Sequence, residues 1–414
     1  MSERFSWESL RPWPAYAVAA SVPISLAATN VFKAVLLVFA LSLLLGAVAG
    51  RRRLEPLQGR RTLVVIALML GALAMSLGYT SATLSQGAHD WVKYSKLLAI
   101  PLLLLVLPTR RHALIALGVY ACAQLFVVAS SYLLSVNVPL PWVYKTVVER
   151  TSEGAVFSSY LDQSIMTVGL GALAWHLRHE IPGRHGTKIG VAIALLCAGN
   201  VLFLLPGRSG HVALLAVLTM SLLWALPGRL RPAALAAPLL LVAAMLWLPT
   251  EFRDRAAAVV SEAQAYQRGD VKPTSSGLRL TYWRRSVEAF AERPILGHGV
   301  GSWNTEFRRL EGTHLRSEVQ NLRNPHQEYL MWAVQLGAVG VALFLALLAA
   351  LAHDASRFTP PVREAAWSLV VIFAAVCMFN SMLYDALIGD YFCILFGLLL
   401  AAGSAPQIPQ ARPA

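Results

Sequence analysis

Apolar runs of about 20 residues, long enough to cross a membrane as helices, recur along almost the whole chain and limit its fold more than any other feature. The sequence is 57% hydrophobic and 14% charged over 414 residues, with a mean hydropathy of +0.57. These values exclude an ordinary soluble globule. We therefore predict an all-α polytopic membrane protein.

A hydropathy window of about 19 residues predicts about a dozen transmembrane helices. Their twelve ranges are 13–30, 31–50, 62–80, 94–108, 113–135, 158–177, 188–206, 209–227, 232–249, 326–352, 365–384 and 388–404. The segments 94–108 and 388–404 are short enough to be tilted, broken or partly interfacial. Helices 1–9 thus occupy 1–249, a long and partly helical loop or cap occupies 250–325, helices 10–12 occupy 326–404, and 405–414 form a cytoplasmic tail.

The distribution of charge supports this topology, because short cytoplasmic loops collect Lys and Arg. With both termini inside, every second loop is basic, and the basic residues are Arg51, Arg52, Arg53, Arg60, Arg61, Arg110, Arg111, Arg178, Arg184, Lys188, Arg229, Arg231, Arg357 and Arg363. The short loops on the other side carry Lys93, Lys145 and Arg150. The 250–325 loop lies outside on this count. Its basic residues do not contradict this, because loops longer than about 60 residues cross the membrane largely regardless of charge.

Several functional classes can be set aside. The net charge is +13, but the basic residues are spread over short loops, where they indicate membrane topology. We therefore expect no nucleic-acid partner. The four cysteines lie inside apolar runs without metal-ligand spacing. We expect the first apolar stretch to be a retained helix, because no small-residue cleavage site follows it.

The long loop has the composition of a folded cap, with amphipathic stretches at 251–268 and 278–292. In the second stretch, Leu280, Trp283, Val287 and Phe290 recur at helical spacing, and this face is expected to pack on the membrane domain. Ser275 and Ser276 are candidate N-caps. No internal repeat and no pair of helices broken by Gly or Pro at matching positions supports a transporter of inverted halves.

Three ionisable residues at the outer boundary are the main candidates for chemistry. Arg208 lies in a very short external turn, Arg279 begins a loop helix, and His326 lies where the loop re-enters the membrane. An arginine offers a planar fork of donors that matches phosphate oxygens, and a histidine can take a proton from a hydroxyl near neutral pH. Two arginines and a histidine on one face of the bilayer suit a diphosphate leaving group and a hydroxyl nucleophile.

Each of these residues also has an ordinary interpretation. Arg208 can extend its side chain to lipid headgroups, Arg279 can be a solvated helix charge, and His326 can cap a helix. Further candidates for substrate binding are Lys93, Lys96, Gln163, Tyr282 and Arg285. Lys93 and Lys96 can equally be membrane anchors, Gln163 can serve a helix contact, and Arg285 can lie on the solvated side of its helix.

Other chemistries lack their motifs. The sequence has no Walker loop, no nucleotide-binding glycine fingerprint, no paired-histidine metal motif and no serine elbow. It also lacks an acidic pair for a metal-bound nucleotide sugar. We therefore expect no metal and no cofactor, with arginines in the place of a divalent cation.

An ordered set of motifs resembles the O-antigen ligases, within the wider superfamily of O-antigen ligases and polymerases. The motifs are PGRSG at 206–210, SGLRLTYW at 276–283, RPILGHGVGSW at 293–303, NPHQEYL at 324–330 and QLGAVG at 335–340. They cover roughly 200–345, and the twelve-helix plan extends the resemblance over the chain. The family often has Asn where this chain has Gln327.

The resemblance implies a function in lipopolysaccharide biosynthesis at the bacterial inner membrane, with the active site facing the periplasm. The donor is a glycan on undecaprenyl diphosphate, the acceptor is a sugar hydroxyl of lipid A-core, and the transfer is inverting and independent of metal. His326 corresponds to the base that deprotonates the acceptor, while Arg208 and Arg279 hold the diphosphate. Membrane lipids are further expected partners.

Three alternatives remain open at this point. A polymerase of the same superfamily extends the glycan on its own lipid carrier, and a protein O-oligosaccharyltransferase moves the glycan to serine or threonine. A transporter of lipid-linked sugars belongs to another class. It would place charges deep in several helices, whereas here they concentrate at the outer boundary.

Overall fold

The computed structural model describes residues 10–50, 60–143, 154–205, 207–231, 236, 239–240, 243, 275–312 and 322–404. The described chain is helical, as predicted. Its helices are α1 (Trp13–Ser21), α2 (Leu26–Val48), α3 (Arg61–Ser76), α4 (Leu84–Tyr94), α5 (Ala99–Val106), α6 (Arg110–Ser135), α7 (Tyr160–His176), α8 (Gly186–Phe203), α9 (Arg208–Ala225), α10 (Ser275–Glu292), α11 (Trp303–Glu311), α12 (Glu328–Ser356), α13 (Pro360–Val376) and α14 (Ala386–Ser404). Short 3₁₀ turns occupy Ser95–Leu98 and Gly228–Leu230.

Many of the helices begin at a polar residue that caps the first turn. Ser25, Thr83, Thr109, Ser159 and Gln327 each accept a hydrogen bond from a backbone N–H of the helix that follows. Such a bond satisfies one of the N–H groups that a helix start leaves without an intrahelical acceptor. Within long apolar runs, these polar residues set where one helix ends and the next begins.

Helix α14 is the centre of the bundle. It contacts α1, α5, α6, α7, α12 and α13, and its residues from Ile388 to Ala402 are almost all buried. Helix α2 lies at the periphery and exposes large apolar side chains such as Val31, Val38 and Leu45. An apolar surface of this kind suits lipid and not water.

Six of the described helices are long and apolar enough to cross a membrane: α2, α6, α8, α9, α12 and α14. Helix α3 is apolar but shorter. The twelve-helix count stays a prediction, and most of the segment 232–249 and all of 251–268 lie outside the described residues. The break between the first two helices falls at 22–25 and not at 30, and the short segment 94–108 is a 3₁₀ turn followed by α5.

Helix α12 is broken near its N-terminal end. Gly337 has φ 63° and ψ −148°, so the helix is interrupted there. The backbone groups set free by the break bond to the segment 294–299: His298 N to Val334 O (2.9 Å), Gly299 N to Gln335 O (2.8 Å) and Ala338 N to Pro294 O (2.7 Å). Backbone groups at membrane depth must find such partners. The sequence contains no matched pair of breaks, but this single break did not stand out in it.

The buried face of α10 differs from the predicted one. Val287 is 52% exposed, whereas Tyr282, Ser286 and Ala289 are buried on the side that meets α11 and α12. Ser286 is polar but satisfied, because its Oγ accepts from Trp303 Nε1 (2.8 Å) and donates to Tyr282 O (2.7 Å). Trp283 of the predicted face does pack against the core, so hydrophobic spacing found part of the buried side and missed the hydrogen-bonded Ser286.

Candidate active site

Arg208 is placed by a close crossing of α7 and α9. It is the first residue of α9, after Gly207 as N-cap. A Cβ on Gly207 would lie 2.9 Å from Ser164 Oγ of α7, and one on Gly210 would lie 2.4 Å from it. Glycine at these two positions lets the helices approach, which explains the spacing of the motif around the arginine. The guanidinium side chain extends from this crossing and is exposed.

Arg279 lies on the first turns of α10 and is close enough to Arg208 for their charges to interact. Burial lowers the pKa of Arg279, and the positive charge of Arg208 lowers this pKa further. Tyr160, at the start of α7, and Tyr282 act in the opposite direction. Two arginines whose charges interact, one exposed and one partly buried, form a positively charged site, which suits an anion.

His326 lies beside this pair. Its backbone has φ 51°, and its N–H donates to Asn324 Oδ1 (2.9 Å), so the residue turns sharply just before α12. A left-handed backbone is uncommon for a residue other than glycine. The ring centroid lies 6.3 Å from that of Tyr282. Burial, and then the charge of Arg279, lower the pKa of His326 to about 4. The imidazole is therefore neutral at pH 7 and able to accept a proton.

The segment 377–385 between α13 and α14, here called the α13–α14 turn, holds these elements together. Ser381 Oγ accepts from Gln327 N (3.1 Å), and Asn380 Nδ2 donates to Ser209 Oγ (2.7 Å). Glu328, fully buried at the start of α12, accepts from Leu383 N (2.9 Å). The turn thus links the residue after Arg208 to the residues after His326.

Asp385 is a residue that the sequence interpretation missed. Burial, and then the negative charge of Asp162, raise the pKa of Asp385 to about 7. Its Oδ1 lies 3.4 Å from Asn324 Nδ2, and Asn324 also holds the backbone of His326. A carboxylate between two apolar runs at the outer boundary was the available signal, because such charges are costly to keep there.

Both lysines predicted for substrate binding contact the α13–α14 turn. Lys93 Nζ lies 3.6 Å from the centroid of the Tyr384 ring and 3.5 Å from Asp90 Oδ1. Burial lowers the pKa of Lys93, against the effect of Asp90. Lys96 is buried, and its Nζ donates to the backbone oxygen of Asp385 (2.5 Å). Each amine therefore already has partners within the protein.

Of the other predicted binding residues, one lies against His326 and two are bonded elsewhere in the protein. Tyr282 is buried against Trp303 and Phe307 and faces His326. Gln163 is fully buried and uses both ends of its amide on the preceding segment, with Oε1 accepting from Val156 N (2.8 Å) and Nε2 donating to Gly154 O (2.9 Å). Arg285 pairs with Glu311 (2.6 Å) and Glu288 (2.7 Å). Of these three residues, only Tyr282 is placed against His326.

One acidic cluster in the described part of the chain has the arrangement of metal ligands. Glu292, His298 and Glu306 place one ligand atom each within 4.8 Å of one another. Arg309 forms ion pairs with both carboxylates, with its Nε 2.7 Å from Glu306 Oε2. The guanidinium thus supplies the cation between these acids, and the cluster stabilises α10 against α11.

The long apolar helices indicate a multi-pass membrane protein in which two arginines and a histidine from three separate segments interact. Residues 193–345 match the family model described as O-antigen ligase, a domain that O-antigen ligases and polymerases share. Enzymes with this domain transfer glycans, and their substrates are lipid-linked glycans. The matched range contains Arg208, Arg279 and His326. No curated protein matches the chain.

Proposed function

We propose that this protein is an O-antigen ligase, which transfers the O-antigen polysaccharide from undecaprenyl diphosphate to a sugar hydroxyl of lipid A-core. The observation that carries this proposal is the meeting of three distant segments. Arg208 acts electrostatically on Arg279, and Arg279 acts on His326, although the three residues come from α9, α10 and the turn before α12. Two neighbouring arginines can bind the diphosphate of the donor, and a neutral imidazole can accept the proton of the acceptor hydroxyl.

The two arginines are assigned to the donor. A diphosphate leaves as an anion, so its departure from the anomeric carbon is favoured by donors that already point at the developing charge. Arginine matches phosphate oxygens with two parallel N–H bonds. The repulsion between Arg208 and Arg279 is relieved when the diphosphate binds, which favours binding of the donor and assigns to the arginines the role that a divalent cation has elsewhere.

His326 is assigned to the acceptor. The bond from the anomeric carbon to the diphosphate oxygen breaks, the acceptor oxygen bonds to that carbon from the opposite side, and the hydroxyl proton passes to the imidazole. A single displacement of this kind inverts the anomeric centre. A bound diphosphate also raises the pKa of His326 by its negative charge, so the base becomes stronger when the donor is in place.

The membrane setting suits both substrates. We place the site at the periplasmic face of the bacterial inner membrane, where the polyprenyl tail stays among lipids and the glycan reaches water. The polar residues of the site lie at the ends of α7, α9 and α12 and not at their centres, as expected for a headgroup at the membrane boundary.

A transfer assay tests the proposal. Purified protein is mixed with lipid-linked glycan and lipid A-core, without metal or nucleotide, and the larger lipopolysaccharide is measured for the wild type and for His326→Ala, Arg208→Ala and Arg279→Ala. His185→Ala and Arg284→Ala are matched controls, because both side chains are exposed away from the site. We expect product from the wild type and controls only. Lengthening of the donor lipid would indicate a polymerase, and transport of labelled donor without product would indicate a transporter.

A further inference from the structure

A polar cavity lies near the His326 turn, and neither Arg208 nor Arg279 is among its lining residues. It lies between α4 and α11, has a volume of about 130 Å³, and is called here the α4–α11 cavity. Its lining residues are Gln86, Asp90, Gly301, Asn304, Thr305, Arg308 and Arg323. This volume is large enough for several waters or one charged substituent of a sugar.

The charges of the lining favour an anion. Asp90 is already bonded, because it accepts from Gln86 Nε2 (2.9 Å) and from Tyr384 OH (3.1 Å), and Lys93 lies 3.5 Å away. Its negative charge is thus offset within the protein. Arg308 and Arg323 add two guanidinium groups to the wall. Guanidinium groups bind phosphate and carboxylate oxygens with good geometry.

The amide and hydroxyl groups of the lining suit a sugar. Asn304 and Thr305 lie on α11 one turn before Arg308, on the side of the helix that faces the cavity. Asn304 Nδ2 also donates to the backbone oxygen of Leu322, so it fixes the segment that carries Arg323. Arginines beside amide and hydroxyl groups match a saccharide with an acidic substituent better than a bare lipid headgroup.

The position of the cavity relates it to the acceptor and not to the donor diphosphate. Arg323 precedes His326 by three residues, so their Cα atoms are at most about 11 Å apart. The opposite face of α11 turns Trp303 and Phe307 toward Tyr282, which separates the cavity from the neighbourhood of Arg279. The backbone connection from Arg323 to His326 thus relates the cavity to the proposed base and not to the arginine pair.

We propose that the α4–α11 cavity binds an anionic substituent, a phosphate or a carboxylate, on the saccharide that accepts the glycan. Arg308 and Arg323 bind its oxygens, and Asn304 and Thr305 contact the sugar that carries it. This inference rests on the proposed transferase function. It makes the cavity a specificity site, which selects acidic acceptors and positions their hydroxyl beside His326.

The test uses core oligosaccharide with its phosphates intact and the same material after removal of phosphate. Binding to the full-length protein is measured by calorimetry, and transfer is measured with each acceptor. For Arg308→Gln and Arg323→Gln, we expect the Kd and KM of the phosphorylated acceptor to rise about tenfold each. The kcat at saturation and the KM of the dephosphorylated acceptor should stay unchanged. Arg323→Lys should retain part of the preference, and Arg284→Gln is the exposed control.

The outcomes separate the two proposals. If the wild type transfers glycan to both acceptors equally and the two variants behave like the control, the inference is overturned while the transferase function stands. If no transfer occurs but binding still prefers the phosphorylated acceptor in a manner that depends on Arg308 and Arg323, the function fails and the site stands. If the KM of the donor rises in place of that of the acceptor, the anionic group belongs to the donor glycan and the inference fails.

Discussion

Burial and the charge of Arg279 keep His326 neutral, and this should be measurable in the pH dependence of the transfer rate. The neutral imidazole accepts a proton, so activity is present above its pKa and is lost as the pH falls through that value. For the free protein, kcat/KM for the donor reports this pKa, and we expect an acid limb near pH 4. The acid limb of kcat should lie at higher pH, because bound diphosphate raises the pKa of His326.

Initial rates between pH 3.5 and 8, with circular dichroism at each pH, check this prediction. The His326→Gln variant is expected to lose activity by about 10² to 10⁴, the range for removal of a general base. An acid limb that persists in this variant would assign the titration to another group. A limb near pH 7 in the wild type would instead point to Asp385, whose pKa burial raises to about 7.

Arg279 provides a second test at the residue scale. Arg279→Gln removes the charge, and Arg279→Lys keeps the charge but loses the planar fork. We expect Arg279→Gln to lower kcat by about 10² to 10³, as for removal of one donor to a developing anion, with Arg279→Lys in between. The same variants should bind undecaprenyl diphosphate more weakly, measured by calorimetry in detergent. Equal activity of both variants and wild type would remove Arg279 from the mechanism.

At the scale of elements, the contact between the broken helix α12 and the segment 294–299 is the most sensitive to mutation. A Cβ at Gly337 would lie 2.5 Å from the backbone of Ile295, and the positive φ of 63° is itself unfavourable for alanine. A backbone with φ 63° and ψ −148° is essentially restricted to glycine, and another residue held there costs about 1–3 kcal/mol. The contact with backbone cannot relax as a flexible side chain would, so the segment 294–299 must move.

We therefore predict that Gly337→Ala lowers the thermal midpoint in detergent and weakens activity together. Gly118→Ala is the matched control, because nothing lies within 4 Å of its Cβ position in α6. Alanine is the better helix former by about 0.5–1 kcal/mol, so this control should be neutral or slightly stabilising. Tryptophan fluorescence during a thermal scan measures the thermal midpoint of both variants, and the transfer assay measures their activity. If the two variants behaved alike, the break at Gly337 would not be structurally required.

The helices differ in how closely the sequence predicts them. The apolar runs predicted α6, α7 and α9 closely, because the length of an apolar span is a local signal. Helix α4 was missed, since its eleven residues are polar on one face and too short to span. The break at Gly337 depends on a segment some forty residues earlier, and no local pattern contains that information.

At the scale of the whole molecule, the main prediction is the topology. Val136, which is 68% exposed after α6, lies outside on the predicted topology, whereas Arg229 lies inside. In a background with Cys122 replaced, because it is exposed, Val136→Cys should react with a membrane-impermeant maleimide in intact spheroplasts. Arg229→Cys should react only after permeabilisation. The reverse pattern would place Arg208 and His326 at the cytoplasmic face and would overturn the proposed function.

The candidate site was only partly visible in the sequence. Arg208, Arg279 and His326 stood out as charges at the outer boundary, and topology alone placed them on one face. Other features of the site depend on burial and on contacts between distant segments. These are the electrostatic interaction of the three residues, the low pKa of His326 and the hydrogen bonds from the α13–α14 turn. Gln163 shows the limit most clearly, since a polar residue that seemed available for sugar is bonded at both ends to backbone.

The break in α12 also bears on how the chain is made. The ribosome completes 294–299 before 334–338, so on the predicted topology the segment that pairs with the broken helix is translocated before α12 enters the bilayer. Backbone groups without partners are not tolerated in lipid. We therefore expect α12 to insert as a continuous helix and to open at Gly337 only when the segment 294–299 returns from outside. On this view, maturation of the protein ends with a local unwinding and not with the addition of its last helix.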